Sequence, residues 1–109
     1  MNLKDELNGV ISFLQKKQFI KAHDLCEELW RKYKNDDKTR EESFILKAFV
    51  NGIAAIELLN MNRITHSQNV WKTYNKYIDL INELDSQNKE QYKIINKLIC
   101  ENKDKLSAI

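Results

Sequence analysis

Residues 41–61, EESFILKAFVNGIAAIELLNM, carry large apolar side chains on nearly every face of a predicted helix. At about 100° per residue, Phe44, Phe49 and Val50 project in three well-separated directions. A helix that is hydrophobic nearly all round is buried at the centre of a protein. We therefore predict that this segment is the central helix of a bundle and that the other helices pack around it.

The rest of the chain also has the pattern of a helical protein. It contains no proline and only two glycines, whereas tight hairpins and phosphate-binding loops depend on glycine's positive φ. Apolar side chains recur at helical spacing in Leu3–Gln15, Phe19–Tyr33, the central Glu41–Met61, Thr65–Leu84 and a last helix starting near Asn88.

Polar stretches separate these helices, and Lys34 to Arg40 is the longest of them. Thr65 is a predicted N-cap, and Asn88 with Gln91 resembles a capping box. We predict an all-α fold, a single compact bundle of about five helices in one domain over residues 1–109, with 103–109 as a fraying tail.

Composition and charge argue against several classes of function. Eighteen basic and 16 acidic residues leave a net charge of +2, and the basic runs at Lys16-Lys17 and Lys32 to Arg40 contain only one aromatic residue, Tyr33, so we expect no nucleic-acid partner. No apolar run is long enough to span a membrane and no signal peptide is visible, so we expect a cytoplasmic protein without a membrane partner. Cys26 and Cys100 lie in helical stripes, which favours reduced, packed thiols.

The candidate site lies on the second helix. His23, Glu27 and Trp30 project in nearly one direction along the rim of its buried stripe. Lys47 and Asn51 are polar exceptions on one line of the central helix. We predict a polar pocket between these two helices, with Trp30 as its wall and Lys47 and Asn51 as its floor, and with Glu27 bridging His23 and Lys47.

The run Ala22-His23-Asp24-Leu25-Cys26-Glu27-Glu28-Leu29-Trp30 resembles the signature of the domain of unknown function 309 family, small helical bacterial and archaeal proteins with an Ala-His-Glu-x-x-Glu-x-x-Trp pattern. Asp24 stands in place of the family's first glutamate. The resemblance covers about residues 13–70 and implies a compact helical fold with a site near His23, Glu27 and Trp30. Similar proteins carry the label of metal-dependent hydrolases.

At two positions this chain differs from the family in a way that argues against a metal-dependent hydrolase. Lys47 stands where the family has a glutamine, and Leu58 stands where it often has a histidine. A catalytic zinc site usually takes three protein ligands plus water, and His23 with Glu27 supplies two. His66 falls at a predicted turn and nothing in the sequence directs it towards His23. We therefore expect no bound metal and no cofactor.

Two functions remain open. The first is an interaction or ligand-binding module that takes another protein or a small ligand in the pocket around His23, Glu27 and Trp30. The alternative is a metal-dependent hydrolase-like enzyme using His23 and Glu27. The chain has no phosphate loop, no nucleophile elbow and no His-Glu-x-x-His helix, so the first is favoured. Self-association into a homo-oligomer is compatible with both.

Overall fold

The computed structural model describes residues 2–107, which form a bundle of five long helices and one short helical turn. In chain order the helices are α1 (Leu3–Gln15), α2 (Phe19–Tyr33), α3 (Arg40–Asn60), α4 (Ile64–Tyr77), α5 (Leu80–Glu83) and α6 (Lys89–Ser107). These residues contain no strand, and the predicted all-α bundle is confirmed. Over the same range, no helix combines the length and the apolar character needed to cross a bilayer.

Helix α3 lies at the centre, as its apolar sequence predicts. It packs against α2, α4, α5 and α6, while α1 packs against α2 and α6 and completes the bundle. Phe49, Ile53 and Ile56 of α3 are fully buried. The bundle thus surrounds the one helix that has no polar face large enough to meet water.

Two of the connections turn through left-handed residues that are not glycine. Lys17 has φ 60° and Asn62 has φ 59°. The amide of the next residue closes the preceding helix in both turns: Gln18 N donates to Phe13 O and Arg63 N donates to Leu58 O, each at 2.8 Å. This hydrogen bond is the one that ends helices in Schellman motifs, so the turns are well formed without glycine.

Helix α4 differs from the predicted fourth helix at both ends. It begins at Ile64, so Thr65 lies inside its first turn and the predicted cap is wrong; the N-cap residue is Arg63, whose side chain makes no capping hydrogen bond. The predicted span to Leu84 is divided into α4 and α5. Ile81 N donates to the carbonyl of Ile78, a three-residue spacing that tightens the backbone where the two helices meet.

A network of partly buried hydrogen bonds joins the start of α6 to the start of α3. Glu42 accepts hydrogen bonds from the hydroxyls of Tyr92 at 2.5 Å and Ser86 at 2.7 Å, and from the amide of Asn88 at 3.3 Å. The backbone N–H of Asn88, which Gln91 would accept from in the predicted capping box, donates to the Ser86 hydroxyl at 3.0 Å instead. Burial, together with the hydrogen bond to Glu42, raises the pKa of Tyr92 above its usual range.

The C-terminal segment is helical where fraying was predicted. Helix α6 continues through residues 103–107, and Ala108 and Ile109 lie outside the described residues. Leu106 packs against the core, and the Lys103 Nζ lies 4.4 Å from the centre of the Trp71 ring. These two contacts with the body of the bundle hold the last turns of the helix in place.

Helices α4 and α6 approach the backbone of α3 closely at Gly52. A Cβ atom at this position would lie 2.9 Å from Tyr74 Cδ1 on α4 and 3.0 Å from Ile99 Cγ2 on α6. Gly9 on α1 is less crowded, because a Cβ there would lie 3.4 Å from Leu25 Cδ2, an ordinary contact distance. A side chain can therefore be accommodated at Gly9 but not at Gly52.

We expect opposite effects from alanine at the two glycines. Gly9→Ala should raise the free energy of unfolding by up to about 1 kcal/mol, because alanine favours the helix and meets no obstacle. Gly52→Ala should lower it by about 1–2 kcal/mol, because overpacking against Tyr74 and Ile99 outweighs the same helical gain. Urea unfolding measures both. Stabilisation by Gly52→Ala would show that α4 and α6 do not press on the α3 backbone.

The two cysteines are free, and their surroundings differ. Cys26 is fully buried, and burial raises the pKa of its thiol to about 12. Cys100 is only half-buried, with its Sγ 3.2 Å from the Tyr74 hydroxyl. Since the thiolate is the reactive form, Cys26 is chemically protected in the folded protein.

We expect a thiol reagent at pH 8 to modify Cys100 first and Cys26 only as the protein unfolds. In a Cys100→Ser variant, the rate of labelling should follow the unfolding rate as urea is added. Mass spectrometry of the labelled peptides measures this. Rapid labelling of Cys26 without denaturant would contradict its burial.

Candidate functional site

The five predicted pocket residues do not form one pocket. His23 lines one depression, Trp30 and Lys47 line another, and Glu27 and Asn51 line neither. Helices α2 and α3 run antiparallel, so the start of α2 faces the end of α3 and the end of α2 faces its start. His23 and Trp30 are two helical turns apart, which at 1.5 Å per residue is about 10 Å along the axis. They therefore meet different parts of α3.

The depression at His23 is a groove of about 400 Å³ between α2, α3 and α4, here named the histidine groove. The residues lining it are Ile20, His23, Ala54, Glu57, Leu58, Met61, His66 and Val70. Its surface is mainly apolar, and Ile20 and Met61 are 64% and 55% exposed. His66, which the sequence did not associate with His23, contributes to the same groove from α4.

The ring of His23 is held by carboxylates of its own helix. Nδ1 lies 3.3 Å from Asp24 Oδ1, and Nε2 lies 3.9 Å from Glu27 Oε2. The predicted contact of His23 with Glu27 across one helical turn is therefore present, at the outer limit of an ion pair. The stronger partner of Glu27 is Arg31, whose Nη2 lies 2.5 Å from Glu27 Oε1.

The prediction that Glu27 bridges His23 and Lys47 is wrong. Among the described residues, Lys47 has no carboxylate within 4.0 Å. Arg31 lies one turn beyond Glu27 on the same helix and reaches it without crossing to α3. Asn51 does not floor a pocket either, because its Nδ2 donates to the Lys47 carbonyl at 2.9 Å within α3.

The second depression, of about 260 Å³, lies where the end of α2 meets the start of α3, and we name it the cation–aromatic pocket. The residues lining it are Trp30, Lys34, Asn35, Arg40, Ser43, Phe44 and Lys47. The Nζ atoms of Lys34 and Lys47 lie 4.5 and 5.9 Å from the centre of the Trp30 ring. Trp30 and Lys47, the predicted wall and floor of one pocket, thus line the same depression, and His23 is not part of it.

The donors in the histidine groove do not complete a metal site. In residues 2–107, no three His, Cys, Asp or Glu side chains are arranged so that they could hold a metal ion. His23, Glu57 and His66 share the groove without converging. The three-ligand arrangement typical of catalytic zinc is therefore not formed by these side chains.

No family model, curated protein or solved structure matches this chain. The resemblance of residues 13–70 to the domain of unknown function 309 family accordingly stays a prediction from the sequence. What the protein does has to be inferred from the chemistry of the two depressions.

The ion pairs of α2 lead to a prediction about coupling. In double-mutant cycles, Glu27→Gln and Arg31→Gln should couple by about 0.3–0.5 kcal/mol, the usual value for an exposed pair one helical turn apart. Glu27→Gln and Lys47→Gln should not couple, because these side chains do not meet. Urea unfolding at low salt gives the coupling energies, and 1 M salt should remove the first. A larger coupling of Glu27 with Lys47 than with Arg31 would contradict the observed pairing.

Proposed function

We propose that this protein is a small helical binding module whose histidine groove receives an amphipathic helix of a partner protein. The observation that carries the proposal is that the exposed side chains of Ile20 and Met61 line one mainly apolar groove. Contiguous exposed apolar surface rimmed by polar residues is typical of interaction sites. Burying such surface contributes about 25 cal/mol per Å².

The shape of the groove favours a helix as its occupant. Three helices border it, Ala54 and Leu58 contribute apolar surface from α3, and the side chains of Ile20 and Met61 are exposed in its lining. An amphipathic helix places apolar side chains in such a groove at positions i, i+3 or i+4, and i+7. Met61 is well suited to this contact because its flexible side chain adapts to different partners.

The charge at one end of the groove specifies the partner further. A shallower depression continues from it, sharing Ile20 and Glu57 and adding Lys17 and Lys21 at the turn between α1 and α2. The two lysines outnumber the single carboxylate there. A partner helix with acidic residues at this end is therefore favoured over a basic one.

The alternative, a hydrolase-like enzyme using His23 and Glu27, has no specific observation in its favour. Both ring nitrogens of His23 face carboxylates of α2, and Glu27 is paired with Arg31. The remaining surface of the groove is mainly apolar. These groups provide neither a nucleophile beside the histidine nor a donor set for a developing negative charge.

The test is selection from a phage-displayed library of helical peptides. Peptides that bind wild type and are rejected by a Met61→Glu variant should carry apolar residues at i, i+4 and i+7 and acidic residues at one end. Ile20→Glu should reduce their affinity at least tenfold by fluorescence anisotropy. Ile94→Glu is the matched control, since Ile94 is 43% exposed on α6 outside the groove, and it should bind as wild type does.

Two outcomes would contradict the proposal. One is that no selected peptide distinguishes wild type from Met61→Glu. The other is that sedimentation shows a dimer of wild type that Ile20→Glu dissociates, because the groove would then be occupied by a second copy of this chain.

A further inference from the structure

The cation–aromatic pocket carries positive charge that no side chain of residues 2–107 neutralises. Lys34, Arg40 and Lys47 line it, and no carboxylate is among the lining residues. None of the three basic groups has a carboxylate oxygen within 4.0 Å. Positively charged side chains along a concave surface raise the local concentration of anions. The pocket is therefore chemically suited to an anionic ligand.

Aromatic rings alternate with these cations across three helices. Lys34 lies over Trp30, and Lys47 lies between Trp30 and Tyr77, 5.9 and 5.4 Å from the two ring centres. Lys76 lies over the Tyr77 ring at 5.2 Å. The resulting row of ammonium groups and rings has the composition of surfaces that bind nucleotides through both phosphate and base.

The ring of Tyr77 is fixed by stacking on Phe44, with ring centres 5.0 Å apart and an angle of 15° between the planes. Phe44 and Trp30 are the two rings that line the pocket, and Tyr77 stacks on Phe44 from outside that lining. A free phosphate or carboxylate would use the cations alone and leave the rings without a role. A ligand that joins a phosphate to a flat ring uses both.

We propose that the cation–aromatic pocket binds a nucleotide, with the phosphate held by Lys34, Arg40 and Lys47 and the base stacked on Trp30. The phosphate draws the two ammonium groups away from the indole, and the base takes their place on the ring. This exchange is favourable because a base stacks on an aromatic side chain more strongly than an exposed ammonium group does. A free mononucleotide and one unpaired nucleotide of a single strand present the same chemistry.

The site is independent of the histidine groove, because the two depressions share no lining residue. Ile20→Glu should therefore abolish binding of the selected helical peptide and leave nucleotide binding unchanged. Failure of one proposal is thereby distinguishable from failure of the other.

The test compares AMP, adenosine and inorganic phosphate by calorimetry and by the two indole N–H signals in a ¹H–¹⁵N spectrum. AMP should shift the Trp30 signal and leave that of Trp71 unchanged, and adenosine and phosphate should each bind at least tenfold more weakly. A fluorescein-labelled single-stranded 12-mer then distinguishes the two sources. If the 12-mer binds more than tenfold more tightly than AMP, the ligand is single-stranded nucleic acid. If the two bind with comparable affinity, the ligand is a free nucleotide.

Substitutions inside and outside the pocket test which residues bind AMP. Lys34→Gln and Lys47→Gln should each weaken AMP binding about threefold to tenfold, and Trp30→Phe should weaken it less. Lys103→Gln is the matched control, because Lys103 lies over Trp71 at 4.4 Å in a different depression, and it should have no effect. The proposal is overturned if millimolar AMP and the 12-mer leave the Trp30 signal unmoved, if phosphate binds as tightly as AMP, or if Lys103→Gln acts like Lys34→Gln.

Discussion

The contact of Tyr74 and Ile99 with the α3 backbone at Gly52 is the constraint on which the rest of the structure depends. It brings α4 and α6 together over one face of the central helix and leaves no room for a side chain there. Because both depressions include residues of α3, the position of its neighbours sets the shape of each. Because close-packed protein interiors transmit strain, we expect a larger side chain at Gly52 to alter both depressions.

The antiparallel packing of α2 on α3 divides the surface into two chemically different regions. At the start of α2, aliphatic side chains and two histidines line a groove that is suited to a helix. At its end, lysines and an arginine surround an indole. One pair of helices thus presents an apolar surface and a cationic surface about 10 Å apart along the axis, as the rise per residue requires.

The polar side chains at the edge of the core mainly stabilise the packing of the helices. Glu42 joins α3 to the loop before α6 through Ser86 and Asn88, and to α6 itself through Tyr92. Ser67 donates to the Ala55 carbonyl at 2.8 Å and so links α4 to α3 from a buried position. Buried polar groups of this kind have to be paired, and pairing them between helices fixes how the helices are arranged. Their partners are far apart in the chain, so no local pattern reveals them.

Helical periodicity, the absence of proline and the all-round apolar character of residues 41–61 were sufficient to predict the fold class, the central helix and most helix ends, because these properties depend on neighbouring residues. The same local information placed His23, Glu27 and Trp30 along one side of α2. It did not reveal which part of α3 each of them meets, that His66 shares the groove of His23, or that Arg31 takes the place assigned to Lys47. Along the chain the basic runs contain a single aromatic residue, Tyr33. In space, Lys34, Lys47 and Lys76 alternate with Trp30 and Tyr77. Such contacts are set by the register and direction in which helices pack, and that register is a property of the whole core rather than of any one segment.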